Sequence, residues 1–144
     1  MNHKPILSSE LRRFVESRLR TNLEGIEVTL RQVLQVQELG IEDLKETMEA
    51  LEDSFTLLSQ KWSLQILYML FLRKNAGFGE LKKVLGVNSR TLSDKLKSLT
   101  NCRYVKRSVE HGPPLRVRYS LTRRGHDTIL LALPFLYYSS GNLT

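Results

Sequence analysis

The spacing of the apolar residues changes close to Cys102, and this change restricts the fold more than any other feature. Before Cys102 the apolar residues recur every three or four positions, as on one face of an α-helix. After it they alternate with polar residues in two runs, 104–110 and 115–121, around the turn-forming segment 111–114 (His-Gly-Pro-Pro). Two alternating runs around such a turn predict a β-hairpin. The chain is therefore expected to be mainly helical, with one hairpin towards its C-terminal end.

Two short helices precede the hairpin and are separated by a tight connection. The first is predicted at 78–86 and the second at about 90–100, and each has apolar residues on one side only. Between them stands Val-Asn-Ser (87–89), in which Asn and Ser are good helix caps. This arrangement predicts a helix-turn-helix. A strongly apolar helix at 61–74 comes before them and, being apolar nearly all round, is expected at the centre of the core.

Helices are also predicted at both ends of the chain. The first begins at a cap on Ser8 or Ser9 and runs to about Val36 or Glu38, and Gly40 stands where a glycine would end it. The last is expected at 122–133, capped by its threonine and kinked or stopped by Pro134.

The segment after Gly40 carries the most regular pattern in the sequence. Its apolar residues stand alternately three and four positions apart, which sets them on one narrow seam, as in a coiled coil. The seam could simply cover the domain within one chain, but its narrowness favours pairing between subunits. We therefore expect residues 1–60 to form a helical dimerisation region beside a second domain at 61–144. The expected dimerisation residues are Ile41, Leu44, Met48, Leu51, Phe55 and Leu58, and the same spacing continues to Trp62, which is expected to anchor the core.

Charge is distributed unevenly between these two regions. Residues 1–60 hold 7 Lys/Arg and 11 Asp/Glu, a net charge of −4, whereas residues 61–144 hold 15 and 4, a net charge of +11. A basic region attached to an acidic one suggests that the basic part meets a polyanion such as nucleic acid. No apolar run approaches the roughly 20 residues that span a bilayer. Since the chain also lacks a secretory signal and has a single cysteine, the cytoplasm is its expected location.

The order helix, helix, helix, basic hairpin, helix is that of a winged helix-turn-helix. The expected fold class is mainly α (an α+β winged helix-turn-helix) with a helical N-terminal extension, a three-helix core, a two-stranded hairpin as wing and a C-terminal helix. The major groove of duplex DNA admits one helix, expected at about 89–101, and the wing at 105–118 can lie along the backbone or in the minor groove. The residues expected to contact DNA are Ser89, Arg90, Thr91, Ser93, Asp94, Lys95 and Lys97 on the helix, and Arg107, Arg116 and Arg118 on the wing.

Two residues of this region have two interpretations each. Asp94 can accept a hydrogen bond from a cytosine amine, or it can orient Arg90 one turn back without touching DNA. Cys102 can act as a thiol sensor, because nearby arginines depress a thiol pKa, although a cysteine at a helix end more often packs as a small apolar residue.

Other functions remain open at this point. A winged helix can also serve as an architectural protein that binds DNA of any sequence, or as an adaptor between proteins, although an adaptor is expected to lack so many basic residues. The helix at 89–101 carries a mixture of Ser, Thr, Asn and Arg, which favours direct contacts with base edges. An enzyme is not expected, because the sequence shows neither a nucleophile–base pair nor a phosphate-binding glycine loop. The three histidines have no partner at ligand spacing, so neither a metal nor a cofactor is expected, and no small-molecule effector can be named.

Four motifs follow one another along the chain. Residues 61–67 read K-W-S-L-Q-I-L, 77–81 read G-F-G-E-L, 89–93 read S-R-T-L-S and 119–125 read Y-S-L-T-R-R-G. In the same order they resemble four motifs of the HxlR family of winged-helix regulators, which is part of the MarR-like superfamily. The family motifs are K-W-S/T-x-x-I-L, R-F-x-E-L (glycine replaces the arginine here), the start of the recognition helix, and Y-S-L-T-x-x-G. The resemblance covers roughly 50–135 and implies a dimeric DNA-binding transcriptional regulator.

The chain also departs from the family pattern at three places. The cysteine that usually precedes the Lys-Trp motif, and that some members use to sense oxidants, is absent from 48–59. Residues 102–105 read Cys-Arg-Tyr-Val, where the family usually has an acidic residue followed by Gly-Leu-Val. Residues 1–47 extend beyond the common family length, and this extension is expected to alter the dimer or to add a partner surface.

Overall fold

A computed structural model of the chain describes residues 8–37 and 40–141. Its contacts divide the chain into two compact units, one drawn from residues up to Ala50 and from Ala132 onward, the other comprising Leu51–Leu131. The boundary predicted at residue 60 falls within the second unit. In chain order the elements are α1 (Ser9–Gln37), a 3-10 turn (Ile41–Asp43), α2 (Leu44–Ser59), α3 (Ser63–Arg73), β1 (Asn75–Gly77), α4 (Phe78–Leu85), α5 (Ser89–Asn101), β2 (Val105–Glu110), β3 (Arg116–Leu121) and α6 (Arg123–Ser139).

Helix α1 begins where the sequence predicts. The backbone N–H of Leu11 donates to the Oγ atom of Ser8 at 3.3 Å, so Ser8 is the capping residue. The role predicted for Gly40 is wrong, because its φ of −89° and ψ of 165° are extended and not the left-handed conformation of a glycine that ends a helix. Gly40 instead precedes the 3-10 turn that leads into α2, and one predicted end of α1, Glu38, lies outside the described residues. No side chain of α1 is buried.

Helices α2 and α3 are separated by a break at 60–62, beside the boundary predicted between residue 60 and the helix at 61–74, and the backbone conformation of the break was not predicted. Trp62 has a φ of 79°, in the left-handed region, and α3 begins only at Ser63. The Oγ atom of Ser63, which is fully buried, donates to the carbonyl oxygen of Leu57 at 2.7 Å and so satisfies an acceptor at the end of α2. The predicted continuation of the seam to Trp62 is therefore wrong. The seam ends at Leu58, which is buried, and Trp62 is half-buried with the Nζ atom of Lys61 4.9 Å from its ring centroid.

The core of the second unit is formed by the apolar sides of α3, α4 and α5 together with residues of the sheet and α6. Full burial of one aliphatic side chain contributes about 1.5–3 kcal/mol, so this set supplies most of the favourable free energy of folding. Helix α3 is central, as predicted, although Tyr68 and Leu72 remain exposed. The buried apolar residues are Leu58, Ile66, Leu67, Met69, Leu70, Ala76, Leu81, Val87, Leu92, Leu96, Leu99, Tyr104, Val105 and Ile129.

Three strands form one antiparallel sheet in the order β1-β3-β2. The predicted hairpin is confirmed as β2 and β3, with Val105 opposite Leu121 at its base. Strand β1 is an addition that the sequence did not predict, and Ala76 at its centre lies opposite Tyr119. Three residues are too few to show an alternating pattern. β1 becomes a strand because its backbone groups find hydrogen-bond partners on β3.

Helix α6 follows β3 after the single residue Thr122. The Oγ1 atom of Thr122 accepts a hydrogen bond from the backbone N–H of Gly125 at 3.0 Å, so this threonine caps the helix as predicted. The same hydroxyl donates to the carbonyl oxygen of Arg103 at 2.6 Å. The predicted end near Pro134 is wrong, since α6 continues to Ser139. A proline removes one backbone hydrogen bond, and the residues that follow it here still form theirs.

Candidate nucleic-acid interface

The turn between α4 and α5 is held by two capping interactions. Gly86 ends α4 with a φ of 65°, a left-handed conformation that glycine adopts without strain, and its N–H donates to the carbonyl oxygen of Lys82 at 3.0 Å. Asn88 begins α5, because its Oδ1 atom accepts a hydrogen bond from the N–H of Thr91 at 2.8 Å. Val87 is buried between the two caps. The turn is therefore fixed at both ends, and it holds α5 in a defined direction relative to α4.

Helix α5 has one buried and one exposed side, as the sequence predicts. Leu92, Leu96 and Leu99 are buried in the core. Because residues three and four positions apart share a side of a helix, the exposed side is formed by polar residues at matching intervals. The exposed residues of α5 include Ser89, Arg90, Asp94, Lys97 and Asn101, and Thr91, Ser93 and Lys95 are half-buried at the edges.

Arg90 and Asp94 are both available to an external partner. Although they stand one helical turn apart, neither of them forms an ion pair in the part of the chain that the structure describes. The interpretation in which Asp94 serves to orient Arg90 thus gains no support from the geometry. Both charged groups remain on the exposed side of α5.

Lys95 points differently from the other predicted contacts. Its Nζ atom donates to the Oε1 atom of Gln60, which lies in the break between α2 and α3. The ammonium group is directed towards that break and still keeps two N–H donors, since Gln60 occupies only one. Lys95 therefore lies at the edge of the exposed polar side of α5.

A groove of about 320 Å³ separates α5 from the wing. Arg107 and Tyr119 stand opposite each other in the β2–β3 register, and cross-strand partners share one face of a sheet. This pair forms the wing side of the groove, and Lys97 is the cation on the helix side. Helix α5 and the wing thus each present a basic side chain to the same groove. The groove is lined by Ser93, Leu96, Lys97, Thr100, Asn101, Arg107 and Tyr119.

The other two predicted wing arginines lie on the opposite face of the sheet. Successive residues of a strand alternate between faces, so Arg116 and Arg118 face away from Arg107 and Tyr119. Arg116 is exposed beside the tip of the hairpin, opposite Glu110. Arg118 is half-buried, and its guanidinium is hydrogen-bonded to the side chain of another strand. The structure therefore brings Arg107 together with α5 and does not do so for Arg116 or Arg118.

Four residues that line the groove were not among the predicted contacts, namely Leu96, Thr100, Asn101 and Tyr119. Of these, Leu96 belongs to the buried side of α5. Asn101 could have been found from the sequence, since it follows Lys97 by one helical turn on the exposed side. Tyr119 could not, because its position depends on which face of the hairpin packs beside α5.

The described residues also bear on a metal site, on the single thiol and on a membrane span. Within 8–37 and 40–141, no three His, Cys, Asp or Glu side chains cluster closely enough to hold a metal ion. Cys102 is an exposed free thiol at the C-terminal end of α5. Every helix in the same two ranges is too short or too polar to cross a membrane.

A capped helix-turn-helix with a polar recognition helix beside a basic wing defines a winged helix-turn-helix DNA-binding protein. Within that class, the chain belongs to the HxlR-like helix-turn-helix family, whose model matches residues 57–134. It has the DNA-binding domain of a transcriptional regulator, and its family and fold are not those of enzymes.

Individual relatives agree with this assignment. The HTH-type transcriptional regulator YdzF of Bacillus subtilis (strain 168) is 37% identical over 77 residues, which cover 53% of this chain and 71% of YdzF. A MarR-family protein of known structure from Porphyromonas gingivalis W83 is 29% identical with a TM-score of 0.57, covering 65% of this chain and 91% of that chain. Diamide-treated YodB from B. subtilis has the same TM-score at 22% identity, covers 65% and 92%, and supports the fold alone.

Proposed function

We propose that this protein binds duplex DNA with sequence specificity as a dimeric transcriptional regulator, with α5 in the major groove and the wing on the neighbouring backbone or minor groove. The observation that carries the proposal is the groove between α5 and the wing, because a basic side chain from each of these two elements lines it. A major groove about 12 Å wide accommodates one helix. Such a protein acts in the cytoplasm, where bacterial DNA is accessible.

Positions along α5 suggest different tasks for its residues. Arg90 lies in the first turn and is exposed, so it can extend to a guanine edge and form two hydrogen bonds. The backbone N–H groups of Ser89 and Arg90 can bind a phosphate, since they have no partner within the helix and Asn88 caps only that of Thr91. Lys97 and Arg107, across the groove from each other, can neutralise phosphates on either side of it.

The full set of proposed DNA contacts follows from these positions. It keeps nine of the ten residues predicted from the sequence and leaves out Arg118, which Asn75 holds on the opposite face of the wing. The proposed contacts are Ser89, Arg90, Thr91, Ser93, Asp94, Lys95 and Lys97 on α5, with Arg107 and Arg116 on the wing.

The proposal of a dimer rests on the apolar seam at 41–58, which begins in the 3-10 turn and continues along α2. Of its six residues only Leu58 is buried, at 8% exposure, whereas Ile41 and Leu51 are 87% and 60% exposed. Leu44, Met48 and Phe55 are also exposed. A contiguous apolar stripe of this length is rarely left in water by a soluble protein. A second copy of the same seam fits it best, because the alternating three- and four-residue spacing is the one by which paired helices interlock.

Dimerisation also suits the proposed reading of DNA. A two-fold dimer sets two recognition helices about 34 Å apart, one turn of the double helix, so that each reads one half of a palindromic site. The exposed apolar residues of α1, among them Ile26, Leu30 and Val33, offer further surface for the same partner. The extension absent from the common family pattern is therefore proposed to strengthen the dimer.

The experiment that tests the proposal selects bound fragments from random duplex DNA at physiological salt and then measures affinity against salt concentration. A specific regulator enriches a recurrent, two-fold symmetric sequence. Its affinity falls with salt at a log-log slope of about −0.9 times the number of phosphates contacted. Binding without enrichment would identify an architectural protein, and affinity that does not change with salt would indicate an adaptor between proteins.

A further inference from the structure

The wing is anchored to the rest of the domain over only part of its length. Strand β3 pairs with β2 along all six of its residues, but with β1 only from Arg118 to Ser120. From Val117 towards the tip, no strand of the described residues other than β2 pairs with β3. Arg118 is therefore the anchored residue of β3 nearest to the tip of the hairpin, and the free part of the wing begins at Val117.

The side chain of Arg118 adds a second connection at this point. Its Nε and Nη2 atoms both donate to the Oδ1 atom of Asn75, at 3.0 and 2.7 Å. The third nitrogen, Nη1, lies above Gly77, where a Cβ atom would be 3.3 Å from it. The guanidinium thus rests on β1, in space left by a residue without a side chain.

Strand β1 is itself fixed to the core. Ala76 at its centre is fully buried, a single residue (Lys74) separates the strand from α3, and Gly77 directly precedes α4. Whatever is attached to β1 is consequently attached to the helices that hold α5 in position. The contact between Asn75 and Arg118 thus connects the base of the free wing to the helix-turn-helix.

We infer that Asn75 and Arg118 form a latch that sets the position of the wing relative to α5, and that Arg118 is a positioning residue and not a phosphate contact. The inference rests on the proposed function, since the position of the wing matters only if the wing binds DNA. Arg118 occupies the sheet face opposite Arg107, and its Nε–Nη2 edge is occupied by Asn75. A cation held in this way supports the wing without taking part in the release of counterions from DNA.

Arg107 provides a matched comparison. It is also an arginine in the middle of a wing strand, but it lines the groove beside α5. Replacement of either arginine by alanine removes the same charge from the same hairpin. Only the loss of a phosphate contact changes the salt slope, by about 0.9 for each phosphate, whereas a misplaced wing lowers affinity at every salt concentration.

The first test measures binding to a duplex of the selected sequence as a function of salt for the full chain and its variants. Arg118→Ala and Asn75→Ala should each weaken binding roughly two- to tenfold, as for the loss of a side-chain hydrogen bond, with the slope of the unchanged protein. The double variant should bind DNA no more weakly than either single variant, because both substitutions remove the same contact. Arg107→Ala should reduce the slope. A reduction of about 0.9 for Arg118→Ala would overturn the inference.

The second test needs no DNA and keeps the latch separate from the proposed function. Amide hydrogen exchange in β3 should become faster at 116–118 in Asn75→Ala and Arg118→Ala, with α5 unchanged, since the latch holds the base of the wing. Asn75→Asp, which keeps an acceptor for the guanidinium, should retain slow exchange. If all three variants exchange at the same rate as the unchanged protein, the latch is refuted, even if the protein binds DNA as proposed.

Discussion

The carbonyl oxygen of Tyr104 occupies the space that a side chain on residue 125 would fill, so that Gly125 is the only residue that fits there. The backbone N–H of Thr122 donates to the same oxygen at 3.1 Å, and the guanidinium of Arg124 lies 4.8 Å from the ring of Tyr104. The end of the wing and the start of α6 thus meet the start of β2 at one point. This contact explains physically why threonine and glycine stand three residues apart in the motif at 119–125.

Gly125→Ala is expected to destabilise the protein. Its methyl group would overlap the Tyr104 carbonyl oxygen, and forcing extra volume into a packed site costs about 1–3 kcal/mol of the free energy of unfolding. Chemical denaturation followed by circular dichroism measures this cost. Gly79→Ala is the control, because nothing lies within 4 Å of a Cβ atom there and alanine favours the helix. Equal stability of the two variants would contradict the close contact.

Ser63→Ala is expected to weaken the junction of α2 and α3. The substitution removes the buried 2.7 Å hydrogen bond to the carbonyl oxygen of Leu57, which keeps only the 3.2 Å bond from the N–H of Gln60, at a cost of about 0.5–1.5 kcal/mol. The same denaturation experiment applies. Ser54→Ala is the matched variant, since Ser54 forms a comparable bond to the carbonyl oxygen of Leu51 on an exposed surface and should change stability by less than about 0.5 kcal/mol. A similar effect of both substitutions would argue against a structural role for Ser63.

Arg90→Ala is expected to reduce discrimination between DNA sequences. If Arg90 pairs with a guanine, the affinity for the selected site should fall by about 1–3 kcal/mol, with a much smaller change for random DNA. Arg116→Ala should instead weaken both complexes alike, because a phosphate contact carries no sequence information. Arg31→Ala, on α1, removes one charge far along the chain from α5 and should leave the ratio of the two affinities unchanged. An equal loss on both DNAs would show that Arg90 does not read a base.

Leu51→Glu is expected to separate the subunits. A leucine buried from each copy contributes about 1.5–3 kcal/mol, so its replacement by a charge should raise the dimer dissociation constant at least about 100-fold. Sedimentation equilibrium of the full-length protein measures this change. Ala50→Glu is the control, because Ala50 is exposed beside the seam but not on it. An unmodified chain that stays at 16.7 kDa at tens of micromolar would exclude the dimer altogether.

Much of the secondary structure could be predicted from local patterns. The helices α4 and α5, their turn and the hairpin follow from apolar spacing and from capping residues such as Asn88, which act within a few positions of chain. The left-handed conformation of the residue before Ser63 could not be predicted in this way. The apolar spacing continues through Trp62, and only the contacts of the folded chain show that this residue takes a left-handed conformation there.

The sequence by itself determined the class of this protein. The period of its apolar residues, the change of that period near Cys102 and the basic C-terminal region are properties of neighbouring residues, and they specify a winged helix-turn-helix. Only the tertiary structure decided which arginine of the wing lies beside α5 and which lies on the opposite face of the sheet. Arg107 lies in the groove beside α5, whereas Arg118 lies on the other face and bonds to Asn75, 43 residues earlier in the chain. Local spacing shows that two residues occupy opposite faces of a strand, but which face meets α5 depends on how distant elements pack around a common core.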